Sequence, residues 1–183
     1  MRDRRFGVTG TFLVALAVAV SASPQSRTFT FERHTFTLDL PPAYSPAGDA
    51  SPGPGVRTFG FSTEPRSDGT RGMIQVTLVD LKQAGAPDNV TVEKLAGSMI
   101  DAVHQRRTDW IQKAADQEID GVPGRRVEWW GSVQTARFHG VLIVGMKKDV
   151  AFALQTQDLA SHAASNMSDC EKALLSFALT VRR

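Results

Sequence analysis

TARFHGVLIVGMKKDVAFALQTQ, residues 135–157, carries two alternating runs. Phe138, Leu142, Val144 and Met146 fall on one side of a period-two pattern, and Val141 and Ile143 on the other. A strand that is apolar on both sides belongs in the middle of a sheet with both faces covered. Lys148–Asp149 then breaks the pattern, and Val150–Gln157 resumes it with Phe152 and Leu154 on one side. The stretch predicts two strands joined at Lys148–Asp149, of which Ala136–Lys147 lies centrally.

The pattern extends toward the N-terminus. Arg125–Trp130 reads as a strand with Val127 and Trp129 on one face. The turn cluster Asp120–Gly124 precedes it, and Lys113–Ile119 before that reads as a polar edge strand. Further back, Thr91 can cap a helix with Glu93 in its first turn, where the helix dipole favours an anion. Leu95, Ala96, Met99, Ile100 and Val103 recur at helical spacing, which gives one stripe to lay on a sheet. Val56–Thr63 and Arg71–Leu81 form a strand pair carrying Phe59 and Phe61, and Ile74, Val76 and Leu78. Thr28–Leu40 reads as two short strands, with Phe29 and Phe31 on one and Phe36, Leu38 and Leu40 on the other, and Arg33–His34 between them. Pro41–Gly55 (PPAYSPAGDASPGPG) holds five of the nine prolines and is expected to be a mobile surface loop at 41–55, or a lid carrying Tyr44. Near the C-terminus, Ser168–Asp169–Cys170–Glu171 fits a capping box, with Ala173, Leu174 and Phe177 as the buried side of a closing helix. Asp158–Asn166 reads equally as a helical turn or a loop. Mostly antiparallel strands with two inserted helices make an α+β domain.

FTLDLPPAY, TVEKLAGSM, IDGVPGRRVEWW, the hairpin above and ALLSFAL occur in an order that resembles the PsbP-like family. That group spans extrinsic photosystem II subunits, Ran-binding relatives and small exported bacterial proteins. The resemblance runs from Phe29 to Leu179. It implies a mostly antiparallel sheet flanked by helices on both faces, an α/β/α sandwich, with a history of binding or assembly rather than catalysis. It carries over no catalytic residue, because the family shares no active-site motif.

The N-terminus sets the compartment. Arg2, Arg4 and Arg5 precede the apolar run Phe6–Val20, which exits through Ser21, Ala22 and Ser23. A basic head, a short apolar segment and a small-residue exit make a signal peptide at 1–22, and the run is shorter than the about 20 residues a spanning helix needs. The expectation is cleavage after Ala22, a single domain over 23–183, and an exported, periplasmic or extracellular protein with no stable membrane insertion. Removing 1–22 takes away three basic residues and one acidic one, which leaves the two signs equal. A neutral chain without a clustered basic footprint does not fit nucleic-acid binding, so Arg106–Arg107 and Arg125–Arg126 read as solvated faces. Cys170 is the only cysteine, so the domain must be held by its core.

The candidate chemistries fail on spacing. His34, His104, His139 and His162 form no HxxxH or HExxH pattern, and no GxSxG elbow is present. Glu118 and Asp120 could share a cleft, but a polar strand edge explains them. Gly53–Pro54–Gly55 lacks the lysine and the setting of a phosphate loop. Cys170 in a first helical turn is the one argument for a reactive group, against the usual burial of a free thiol. No enzymatic activity, cofactor or metal is expected. What remains is the pair Trp129–Trp130, whose members point to opposite faces. An exposed Trp130 beside Arg126 on its own face would resemble a protein-binding surface. The reading is therefore a binding or assembly protein of the cell envelope with a protein partner. The alternative is a small-molecule or lipid-binding module with a pocket between the sheet and helix 91–107. A hydrolase would require titratable groups to converge in a cleft.

Overall fold

A computed structural model describes residues 23–182. The expected signal peptide, 1–22, lies outside the described residues. The chain forms β1 (Gln25–Phe31), β2 (His34–Leu40), β3 (Ser45–Gly53), β4 (Val56–Ser62), β5 (Met73–Asp80), α1 (Val92–His104), β6 (Thr108–Ile119), β7 (Val122–Val133), β8 (Ala136–Lys147), β9 (Val150–Leu159), α2 (Ala160–Leu175) and β10 (Ala178–Thr180). Seven strands make one antiparallel sheet in the order β3-β4-β5-β9-β8-β7-β6, and β1-β2-β10 make a smaller one. This is an α+β fold.

The β8–β9 hairpin turns at Lys148–Asp149 and runs from Lys147↔Val150 to Phe138↔Leu159. Its alternation divides the core. Val141 and Ile143 join a cluster with Phe36, Phe61, Val76, Phe152 and Leu154 and with Ala163, Met167, Cys170 and Leu174 of α2. Leu142 and Val144 join a second cluster with Val127 and Trp129 and with Ala96 and Ile100 of α1. Adjacent strand residues point to opposite faces, so the sequence of β8 alone sorts the two clusters. Gly145 leaves room for the Phe152 ring, where any Cβ would overlap it.

Three expectations are corrected. Residues 45–53 are not a mobile loop: β3 pairs with β4 from Ser45↔Ser62 to Gly53↔Val56, with register shifts after Pro46 and Ala50. An edge strand needs partners on one side only, so prolines and irregular register are tolerated there. Tyr44 is no lid residue but a core side chain, 5% exposed, its hydroxyl 3.0 Å from Cys170 Sγ. The capping box at Ser168 does not start a helix, because α2 begins eight residues earlier at Ala160. Ala163, Met167, Cys170 and Leu174 form its buried stripe, and that burial outweighs the weak helix propensity of Ser, Asn and Asp in between. The small sheet owes its third strand to Leu179, which pairs with Phe36 of β2 and is held by Asp120 Oδ2 on its N–H.

Candidate functional site

Residues β6, β7 and β8 place in register across one face build the predicted surface. Trp130 lies opposite Ile111 on β6 and His139 on β8, and Glu128 lies opposite Lys113. The indole of Trp130 stacks on the His139 ring at 4.6 Å and 7°, with Lys113 Nζ 5.6 Å from its centroid. His139 Nε2–H donates to Glu128 Oε1 at 2.9 Å. Arg126 donates to Glu128 Oε2 at 3.2 Å and, across to α2, to Glu171 Oε1 at 2.9 Å. Burial alone would raise the Glu128 carboxyl, but hydrogen bonds from His139 and Arg126 and their charges hold it below its usual range.

Arg126 and Trp130 thus share one face, as the parity of the strand requires, and are linked through Glu128 and His139 rather than touching. Arg126 is no solvated side chain: its side chain is 21% exposed and committed to two carboxylates. Trp130 is half-buried, and Ile111 beside it is 52% exposed. The line Ile111–Trp130–His139, edged by Lys113, Glu128, Arg126 and Glu171, is an aromatic and aliphatic strip with alternating charge. Sequence reading reached Arg126 and Trp130 but missed Ile111, Lys113, Glu128, His139 and Glu171. Ile111 precedes the segment expected as strand, and cross-strand partners are set by register rather than by local pattern.

The opposite face is closed. Trp129 is fully buried, with Arg107 over its ring at 4.6 Å and Trp110 stacked at 5.3 Å. Arg107 also donates to Val103 O at 2.7 Å and Gln157 Oε1 at 3.0 Å, which corrects its reading as solvated. Burial lowers the pKa of its guanidinium.

Between α1 and the sheet, the apolar stripe is filled by Ala96 and Ile100 against Val127, Trp129 and Leu142. A cleft of about 490 Å³ opens instead at the N-terminus of α1, lined by Glu93, Asp116, Gln117 and Glu118 with Val92, Pro123 and Gly124. Thr91 caps that helix end as expected, accepting from the Lys94 N–H at 3.3 Å. Glu118 lines this cleft but Asp120 does not share it, since its carboxylate binds Lys147 at 2.7 Å and the Leu179 N–H at 2.8 Å.

The remaining titratable groups are dispersed. His34 faces Asp80, His104 stacks on Trp110 and His162 meets Asp68. Cys170 lies in the middle of α2, and burial pushes its thiol up, the opposite of an activated nucleophile. Asp158, buried beside it, is held by a two-pronged contact from Arg66 at 2.7 and 2.6 Å.

A mostly antiparallel sheet with two helices in this order defines a PsbP-like fold, and solved structures bear it out. The chain is similar to cyanobacterial PsbP (CyanoP) from Synechocystis, with 12% identity over 91% of this chain and 99% of that one and a TM-score of 0.58. It is similar also to LpqN of Mycobacterium tuberculosis, described as involved in cell envelope biogenesis, at 10% identity, 86% and 91% coverage and a TM-score of 0.62. PA94 of Pseudomonas aeruginosa, a protein of unknown function, matches at 7% identity, 86% and 97% coverage and a TM-score of 0.52. No family model and no curated protein matches the sequence.

Proposed function

We propose that this chain is an exported, non-catalytic binding or assembly protein of the cell envelope that engages a protein partner through the Ile111–Trp130–His139 strip. The observation that carries it is Trp130. It is a large aromatic left partly exposed next to an exposed Ile111 and ringed by paired charges. Aromatic centres with polar rims are the anatomy of protein–protein surfaces. The PsbP-like fold shared with an envelope-biogenesis protein supports the compartment, as does the signal-like pattern of residues 1–22. No helix among the described residues is long and apolar enough to cross a membrane. The two core clusters support an α/β/α arrangement, with α1 and α2 against opposite faces of the seven-stranded sheet.

The second reading, a small-molecule module, rests on the cleft at the start of α1. Its three carboxylate side chains suit a cationic ligand better than a lipid. A photo-crosslinking residue at Ile111 and another at the exposed Ser165 on α2 distinguish the readings. A discrete protein adduct in envelope preparations from the Ile111 position only is the expected result. Equal labelling from both positions, or none from Ile111, overturns the strip as a partner surface.

A further inference from the structure

Away from the strip, two tight turns, the end of β5 and the C-terminal segment converge on a cavity of about 280 Å³. Arg33 comes from the β1–β2 turn, where Glu32 takes φ 51°, and Lys148–Asp149 form the β8–β9 turn, where Lys148 takes φ 56°. Asp80 and Lys82 follow β5, and Val181 and Arg182 follow β10. The frame is tied by the Leu81 N–H on Asp149 O at 2.9 Å. Four cations and two carboxylates therefore line one small space, in a chain otherwise balanced in charge.

The carboxylates are already engaged. Asp149 pairs with Lys82 at 2.7 Å, and the hydrogen bond and charge of Lys82, with smaller help from Arg33 and Lys148, hold its carboxyl below the usual range. Asp80 Oδ1 accepts the N–H groups of Lys82 and Gln83, each at 3.1 Å. Among the described residues, Arg33, Lys148 and Arg182 have no ion-pair partner; all three are exposed at the cavity rim. The floor holds an unmatched donor. His34 is 1% exposed, and its Nδ1 accepts the Arg182 N–H at 3.2 Å, which puts the proton of the neutral ring on Nε2. Nε2 lies 3.7 Å from Asp80 Oδ2, too far for a hydrogen bond, and has no other partner among the described residues. A buried donor without an acceptor is unfavourable, and the four cations outnumber the two carboxylates that line the space, which leaves it net positive.

We propose that this cavity is a binding site for a phosphate-type oxyanion, held by Arg33, Lys148 and Arg182 above the His34–Asp80 floor. Guanidinium forks match two oxygens of such a group, and an ammonium adds a point charge. The same chemistry is offered by free phosphate and by the headgroup of an anionic phospholipid.

The test follows the backbone amide resonances of Arg33, Lys148 and Arg182 in the full chain during titration with inorganic phosphate, with chloride at matched ionic strength as control. Flotation with phosphatidylglycerol and with phosphatidylcholine vesicles runs beside it. The test variant is Arg33→Gln/Lys148→Gln/Arg182→Gln. The control Arg71→Gln/Arg106→Gln/Arg137→Gln removes the same charge from exposed positions elsewhere, and both keep residues 1–22. Saturable shifts with Kd near or below about 1 mM, weakened at least about tenfold in the test variant alone, assign the site to free phosphate. Binding only to phosphatidylglycerol vesicles, lost in the test variant and kept in the control, assigns it to a lipid headgroup. Equal response to chloride, equal loss in both variants, or no binding in either arm overturns the proposal.

Discussion

Trp129 and its neighbour Trp130 occupy opposite faces of β7 and differ in almost everything but chemistry. Trp129 is fully buried, stacked on Trp110 and covered by Arg107, and Gly140 on β8 is kept free of a Cβ that would overlap its ring. Trp130 is half-buried, stacked on the ring of His139 and framed by side chains paired with one another. One side chain is used up by the fold. The other keeps part of its surface available. Strand parity thus lets one dipeptide fill the core on one face and present part of an aromatic surface on the other.

The contrast sets the size of the expected effects. Trp129→Ala empties the centre of the α1 cluster and should cost about 3–5 kcal/mol, read as a lower denaturation midpoint. A cost under about 1 kcal/mol would show that this face is not closed as described. Gly140→Ala presses a methyl onto the Trp129 ring and the Thr156 carbonyl oxygen, so about 1–3 kcal/mol of overpacking is expected in the same measurement. Arg126→Ala leaves Glu128 and Glu171 without their shared cation. The pair is partly exposed, and a loss of about 1 kcal/mol is expected, shrinking in high salt.

A smaller effect concerns acid. The folded pKa of Glu128 lies below its unfolded value, so its contribution is complete above the unfolded carboxylate range and disappears as pH falls through the folded value. Glu128→Gln should therefore be less stable than the native chain near neutrality. Thermal melts from pH 7 down to about 3 should show that difference closing. A difference constant with pH would mean the carboxylate contributes by shape alone.

Much of this architecture was legible in period-two alternation. The assignments of Val141 and Ile143 to one face and of Leu142 and Val144 to the other follow from β8 alone. So does the stripe of α1, with its Thr91 cap. Elements stabilised by distant partners were not legible. β3 consists of Ser, Pro, Gly, Asp and Ala, and only its pairing with β4 makes it a strand. The first half of α2 reads equally as a helical turn or a loop, and Ser168 as a cap after it, because the buried residues are spaced among Ser, Asn and Asp. β10 has three residues and exists through β2 and Asp120. At the candidate surface, Trp130 and Arg126 could be paired by counting. Ile111, His139 and Glu171 arrive from two other strands and a helix, and no local spacing announces them.

The most direct test of the account is a paired measurement on Trp130→Ala: thermal stability of the purified protein, and capture of the partner from the envelope fraction. The account predicts a melt within about 1 kcal/mol of the native chain together with loss of the captured partner. A partner retained at native levels, or a stability loss as large as that of Trp129→Ala, would contradict the division of labour between the two faces.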